Sequence, residues 1–207
     1  LVIALILSQK IKGINFFRTL YYLPSILGGS VAISVLWKYL FMKNGIVNGL
    51  LSKIGITGPD WLGSPTWALF TVGLVTVWQF GSSMLLFLAG LKNIPESLYE
   101  AASLDGAKTL RKFWSITLPS LSPIVLFNLV MQMINAFQEF TPAYVITQGG
   151  PLKSTYLYGL MLYDQGFKFF KMGYSSALSW ILFVIILAFT STTFGSSQSW
   201  VHYGDES

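Results

Sequence analysis

The sequence predicts an all-α protein, a polytopic bundle of transmembrane helices. Three observations carry this. Of 207 residues, 53% are hydrophobic and only 10% are charged, where a soluble domain carries about 25% charge. The mean hydropathy is +0.61. Apolar stretches near the ~20 residues needed to cross ~30 Å of hydrocarbon recur along the chain, and no series of alternating strands of about ten residues suggests a barrel.

The same composition excludes several functions. There is no cysteine, hence no disulfide or thiol chemistry. The one histidine, His202, lies in a polar tail, and no cluster of His and carboxylates offers a metal site. The net charge of +5 comes from scattered basic residues, which beside spans set topology rather than bind nucleic acid. A membrane hydrolase would need a nucleophile with a base, and Ser82 and Ser83 have no His or Lys partner within their span. No G-x-x-x-x-G-K-[S/T] phosphate loop is present, so the chain is not expected to be an enzyme.

Residues 1–7 are apolar but too short to span. They read as the end of a span whose beginning is missing, so N-terminal spans are expected outside this fragment. Residues 9–18 form a short loop with Lys10, Lys12 and Arg18 and no acid, which places it in the cytoplasm. Residues 20–41 are the next span, and Pro24, Gly28 and Gly29 predict a kink or a broken helix. Residues 43–65 form an outside loop with a short helix near Asn44–Leu51, and Trp61 and Trp67 suit an aromatic belt. Residues 66–91 are the cleanest span, uncharged, with Gly81-Ser82-Ser83 as small residues for helix packing.

Residues 92–119 are polar yet do not read as a simple connection. Asn93 and Glu96 have capping-box spacing, Pro95 suits a first turn, and Leu98, Ala101, Ala102 and Asp105 follow at helical intervals. Gly106 ends that helix in the left-handed region. Thr109 opens a second helix, in which Leu110, Phe113, Trp114 and Thr117 share a face and which Pro119 closes. Seven basic residues (Lys10, Lys12, Arg18, Lys92, Lys108, Arg111, Lys112) fall on this side of the membrane, against five (Lys43, Lys53, Lys153, Lys168, Lys171) on the other.

Residues 121–147 form a span with a polar strip. Asn128, Gln132, Asn135 and Glu139 lie within an arc of roughly 60° and about 16 Å of helix, at 100° and 1.5 Å per residue. A carboxylate at mid-membrane costs on the order of 3 kcal/mol and faces a bundle interior or a water-filled path. Amides and a carboxylate suit sugar hydroxyls, and they suit equally the bonding of neighbouring helices. Gln148-Gly149-Gly150-Pro151 is a turn. Residues 155–174 read as an amphipathic aromatic segment at the outer surface, able to pack on the bundle or to dock a partner. Residues 175–193 are the last span, followed by a cytoplasmic tail containing Trp200, His202, Asp205 and Glu206.

Two stretches resemble a known family. E-A-A-S-L-D-G-A (Glu100, Ala101, Ala102 to Asp105, Gly106) running to I-T-L-P (Ile116, Leu118, Pro119) is similar to the coupling motif of permease subunits of binding-protein-dependent ATP-binding-cassette importers, in the sugar-permease branch. Residues 16–32, F-F-R-T-L-Y-Y-L-P-S-I-L-G-G-S-V-A, resemble the same branch. The resemblance implies an importer permease fold over residues 1–207 with a cytoplasmic coupling helix pair at 92–119, in a bacterial cytoplasmic membrane. It implies a second homologous permease, two ATPase subunits that hold ATP and Mg, an extracytoplasmic solute-binding protein and a sugar or oligosaccharide as substrate, with no cofactor on this chain. Glycerol phosphate or another polar solute is the alternative substrate. An ATP-independent channel or scaffold is the alternative class, and it would have no use for the helix pair.

Overall fold

The computed structural model describes residues 1–9 and 12–202. Lys10 in the first basic loop, and Asp205 and Glu206 in the tail, lie outside the described residues. Every regular element among the described residues is helical, which lets an apolar chain satisfy its backbone polar groups within itself.

Among the described residues, one unbroken helix, Met172–Ser197, is long and apolar enough to cross a membrane. It exceeds the expected 175–193 at both ends. The three other full spans expected from the sequence are each interrupted. Numbered in chain order, α1 is Val2–Ser8, α2 Ile14–Ile26 and α3 Val31–Phe41. The break between α2 and α3 follows from Gly29, at φ +71°, and from Ser30, whose Oγ accepts from the Ile33 N–H at 3.2 Å and caps α3. A broken helix was expected here. Its position is set by the glycines, and Pro24 sits inside α2. Residues 14–18, expected as loop, are helical.

The span 66–91 is a correction. It is two helices, α5 (Pro65–Trp78) and α6 (Gly81–Asn93), after a short α4 (Ile46–Lys53) in the preceding loop. The Gln79 N–H turns back to the carbonyls of Val75 and Thr76, each at 3.2 Å, and ends α5. Tertiary packing holds this end: Trp78 lies 5.6 Å from Trp37, and a Cβ on Gly28 would come within 3.0 Å of the Gln79 side chain. The span 121–147 is also corrected. It divides into α10 (Ser122–Phe137) and a π-helical turn Ala143–Thr147. Pro142 has no N–H for the carbonyl of Gln138 and its ring crowds it, so the helix cannot run through residues 138–140.

The chain forms two compact units. The first comprises residues 1–23, 81–134 and 185–202, and the second residues 24–80 and 135–184. In the first unit α1 packs on α6, burying Ala4 and Leu7. The Arg18 guanidinium donates to the Leu7 carbonyl, at 3.1 Å from Nε and 2.6 Å from Nη2, and so closes the C-terminal end of α1. Gly90 of α6 lies against Leu121 and Ile124, with no room for a Cβ. His202 is a tail residue: its N–H donates to Ser122 Oγ at 2.8 Å.

In the second unit Val72, Val75, Ala143 and Ile146 form the core, with Trp37, Leu62 and Leu157 against it. The Trp37 indole donates to the Thr71 carbonyl at 3.1 Å. The aromatics continue in a line: Trp37 to Phe41 is 5.2 Å, Phe41 to Trp61 5.5 Å and Trp61 to Trp67 5.0 Å between centroids. Trp61 Nε1 donates to Asn48 Oδ1 at 2.8 Å, which anchors the loop bearing α4.

Candidate functional site: a coupling helix pair and a divided polar strip

The helix pair forms. Its first member, α7, spans Glu96–Leu104. Its C-terminus is a Schellman motif: the Ala107 N–H bonds to the Ala102 carbonyl at 2.9 Å and the Gly106 N–H to the Ser103 carbonyl at 3.1 Å, with Gly106 at φ +73°. At the other end Asn93 belongs to α6, and Pro95 holds the cap position without a side-chain bond. The capping-box reading is therefore corrected: α6 runs on to Asn93, and Pro95 supplies the fixed φ that starts α7.

The second member begins as α8 (Thr109–Lys112), widens into a π-helical turn Phe113–Thr117 and resumes as α9 (Leu118–Ser120). Thr109 is its first residue and Lys108 its cap. It ends at Ser120, one residue past Pro119. The chain bends by 65° at Leu121 and continues into α10. The π turn also rotates the expected face apart. Leu110 is 70% and Trp114 60% exposed, whereas Thr117 is buried, because the extra residue per turn shifts everything after it.

Two polar contacts zip the pair together. Tyr99 Oη and Thr117 Oγ1 are 2.8 Å apart, and Lys112 Nζ donates to Ser103 Oγ at 2.6 Å. Glu100, Ala101, Asp105 and Gly106 are exposed, while Ala102, Ile116, Leu118 and Pro119 are half-buried. Leu104, at 90% exposure, joins Leu110 and Trp114 as apolar surface. Glu100 makes no ion pair with any described residue. The pair is thus a braced element with an apolar surface and a free carboxylate.

The polar strip divides between the units. In the first, Asn128 is buried and its amide donates to the Ile124 carbonyl of its own helix at 3.0 Å. Gln132 Nε2 donates to Ser83 Oγ at 2.8 Å, so Ser83, expected as a small packing residue, is also a polar partner across helices. In the second, Asn135 is exposed on the last turn of α10. Glu139 is half-buried in the break beyond α10, where its Oε2 accepts from Thr76 Oγ1 at 3.1 Å. The expected single helical strip is therefore corrected at its fourth member, because α10 stops at Phe137.

The sequence reading passed over a further cluster. The segment 155–174 folds as α11 (Tyr158–Tyr163) and a π-helical turn Asp164–Lys168, and with the long helix Met172–Ser197 as α12 the numbering is complete. Asp164 is buried at 9% exposure and accepts from Tyr156 Oη at 3.0 Å. Burial, and then this bond, raise the Tyr156 phenol above its ordinary pKa. An acid, Asp164, in a segment rich in tyrosine was the available signal.

Interrupted apolar helices, polar groups between helices and a braced, surface-exposed helix pair define a class: a helical membrane protein. The chain belongs to the family described as binding-protein-dependent transport system inner membrane component, which matches residues 12–201. It is 53% identical over 206 residues to the probable ABC transporter permease protein YesP of Bacillus subtilis (strain 168), covering 98% of this chain and 67% of that one. It is 34% identical over 194 residues to the arabinooligosaccharides transport system permease protein AraP of the same organism, covering 90% of this chain and 61% of that one. The chain thus spans about two thirds of these relatives. Its fold matches the crystal structure of a bacterial alginate ABC transporter in complex with alginate pentasaccharide-bound periplasmic protein, with a TM-score of 0.84 over 99% of this chain and 72% of that one, at 22% identity.

Proposed function

We propose that this chain is part of a translocating subunit of an importer that carries a sugar or oligosaccharide across a bacterial cytoplasmic membrane. In this reading the subunit crosses the membrane several times and the helix pair at 92–119 faces the cytoplasm. There it docks one of two partner ATPases, which hold ATP and Mg. Glu100 meets a basic residue of the ATPase cleft, Leu104, Leu110 and Trp114 supply apolar contact, and Gly106 sets the turn. Closure of the ATPases rocks this subunit against a second homologous permease and opens the path alternately to each side. A solute-binding protein outside delivers the sugar. Asn128, Gln132, Asn135 and Glu139 are proposed along the path, with Gln132, Asn135 and Glu139 the members that meet hydroxyls and Asn128 held by its own helix.

The observation that carries this reading is the braced helix pair with its unpaired Glu100. A channel or a scaffold has no need of it. The relatives that are permeases of ABC systems, one of them for arabinooligosaccharides, support the reading and its substrate class. The test is ATP hydrolysis by the reconstituted full-length complex, with and without sugar-loaded binding protein. Glu100→Ala is expected to weaken ATPase docking roughly tenfold or more, taking about 1.5–3 kcal/mol for a hydrogen bond to a charged group, and to lower stimulated hydrolysis while membrane insertion is unchanged. Stimulated hydrolysis at the wild-type level in Glu100→Ala removes the docking role. Sugar flux without ATP removes the importer reading.

A further inference from the structure

The second unit contains a cavity that the proposed path does not use. It measures about 360 Å3 and is lined by Tyr144, Gln148, Tyr163, Asp164, Phe167 and Lys168. Such a volume lies within the ~300–1,000 Å3 of small-molecule sites, whose walls are mostly apolar with a few placed polar groups.

Its walls have two chemistries. One is a fixed aromatic platform: Tyr144 lies 5.1 Å from Tyr163, and Tyr163 lies 5.4 Å from Phe167. Phe140 backs this platform, stacked on Tyr144 at 5.2 Å and 5.0 Å from Tyr163. The other wall is polar. Asp164 is buried, and Tyr156 takes its Oδ2. Its Oδ1 has only Lys168 Nζ, at 3.9 Å, beyond hydrogen-bond reach. The Gln148 amide has no partner within the described residues. An acceptor, a donor cation and an amide that does both thus face the space with capacity unspent.

Gln148 adds an independent observation. It ends the Ala143–Thr147 turn with φ 51° and ψ 34°, in the left-handed region. Glycine holds that conformation without strain, and a long polar side chain does so at a cost, which is a mark of functional positions.

We propose that this cavity is a pyranose-binding subsite for a neutral sugar ring. The ring's C–H face lies on Tyr144, Tyr163 and Phe167, and its hydroxyls bond to Gln148, Asp164 Oδ1 and Lys168 Nζ. A ring of alternating C–H and O–H needs both walls together. The paired charges of Asp164 and Lys168 sum to zero, so the site favours a neutral polyol over a phosphate, for which the Asp164 carboxylate is repulsive. The subsite rests on the importer reading above and supplies a second station for its substrate, separate from the strip 128–139.

The test uses the full-length permease complex in lipid nanodiscs, with ligand-observed NMR and a panel of maltose, trehalose, lactose and raffinose as probes, and glycerol 3-phosphate as competitor. ATP-driven uptake of the same panel is measured in parallel. Gln148→Gly removes the amide and relieves the backbone, so binding should fall at least tenfold while thermal stability is held or raised. A structural role for Gln148 gives neither that pairing nor that sign. Asp164→Asn keeps an acceptor for Tyr156 and should also weaken binding tenfold. Glycerol 3-phosphate should not displace the sugar. A wild-type complex that binds none of the panel, or displacement by glycerol 3-phosphate, overturns the subsite. A complex that imports a sugar while both variants bind it as wild type overturns the subsite and leaves the importer reading standing. Binding lost in both variants, with no ATP-driven uptake by wild type, supports the subsite and overturns the importer reading.

Discussion

Gly106→Val is expected to reduce ATP-driven uptake about tenfold without reducing the amount of protein in the membrane. Gly106 sits at φ +73°, and no atom lies within 4 Å of where its Cβ would be. The penalty is therefore purely one of backbone conformation, about 1–2 kcal/mol for an L-residue in the left-handed region and more for a β-branched one. That is enough to depopulate the Schellman motif and to swing α7 away from the π turn at Phe113–Thr117. Glu100 and Leu104 would then no longer present one surface with Trp114. Asparagine tolerates this region, so Gly106→Asn should retain most of the uptake and Gly106→Ala should fall between. If all three variants transport alike, the turn does not set the docking surface.

Gly90→Leu is expected to prevent the first unit from packing. Here the constraint is steric rather than conformational. A Cβ at Gly90 would overlap Ile124 Cδ1 and come within 2.8 Å of Leu121 Cδ2. Leu121 is fully buried and sits at the bend into α10, so it has little freedom to yield. Overpacking by single methyl groups costs typically about 1–3 kcal/mol, which makes Gly90→Ala measurably destabilising and Gly90→Leu severe. Ile124→Val deletes the Cδ1 that the new Cβ meets first. It should rescue Gly90→Ala in part, with a coupling of about 0.5–3 kcal/mol in a double-mutant cycle. Thermal unfolding in detergent and the yield of folded protein measure this. Additive effects of the two substitutions would show that α6 and α10 do not touch at Gly90.

The elements that the sequence made legible are those decided by local chemistry. Gly106 and the break at Gly28-Gly29 were readable because only glycine takes positive φ cheaply, and the all-helical class followed from apolar length. Glu100 and Asp105, proposed above for coupling, stood out as charge in an apolar chain. What was not legible lay where packing overrides pattern. The end of α5 at Gln79 is held by Trp37 and Gly28, some forty to fifty residues away in sequence, and the chain is apolar and uncharged on both sides of it. Glu139 left the helical strip because Pro142 stops α10, a signal present in the sequence but outweighed by the regular spacing of the polar residues before it. The face shared by Leu110 and Trp114 with Thr117 was lost to a π turn, which has no compositional mark.

The line of aromatic rings in the second unit has an optical consequence. Four of the seven tryptophans, Trp78, Trp37, Trp61 and Trp67, stand in a relay with Phe41 between them. Indoles at such spacings share excitation and couple their transition dipoles. That half of the chain therefore has a coupled near-ultraviolet circular dichroism signal of its own. Trp114 stands apart on the exposed helix pair, and Trp180 and Trp200 are the other two tryptophans outside the relay; with those two replaced by Phe, its emission colour reports whether its surface is wet or covered. In that background a single intrinsic spectrum carries two separable channels, one for the integrity of the α3–α5 packing and one for the occupancy of the proposed coupling surface, with no label attached to either.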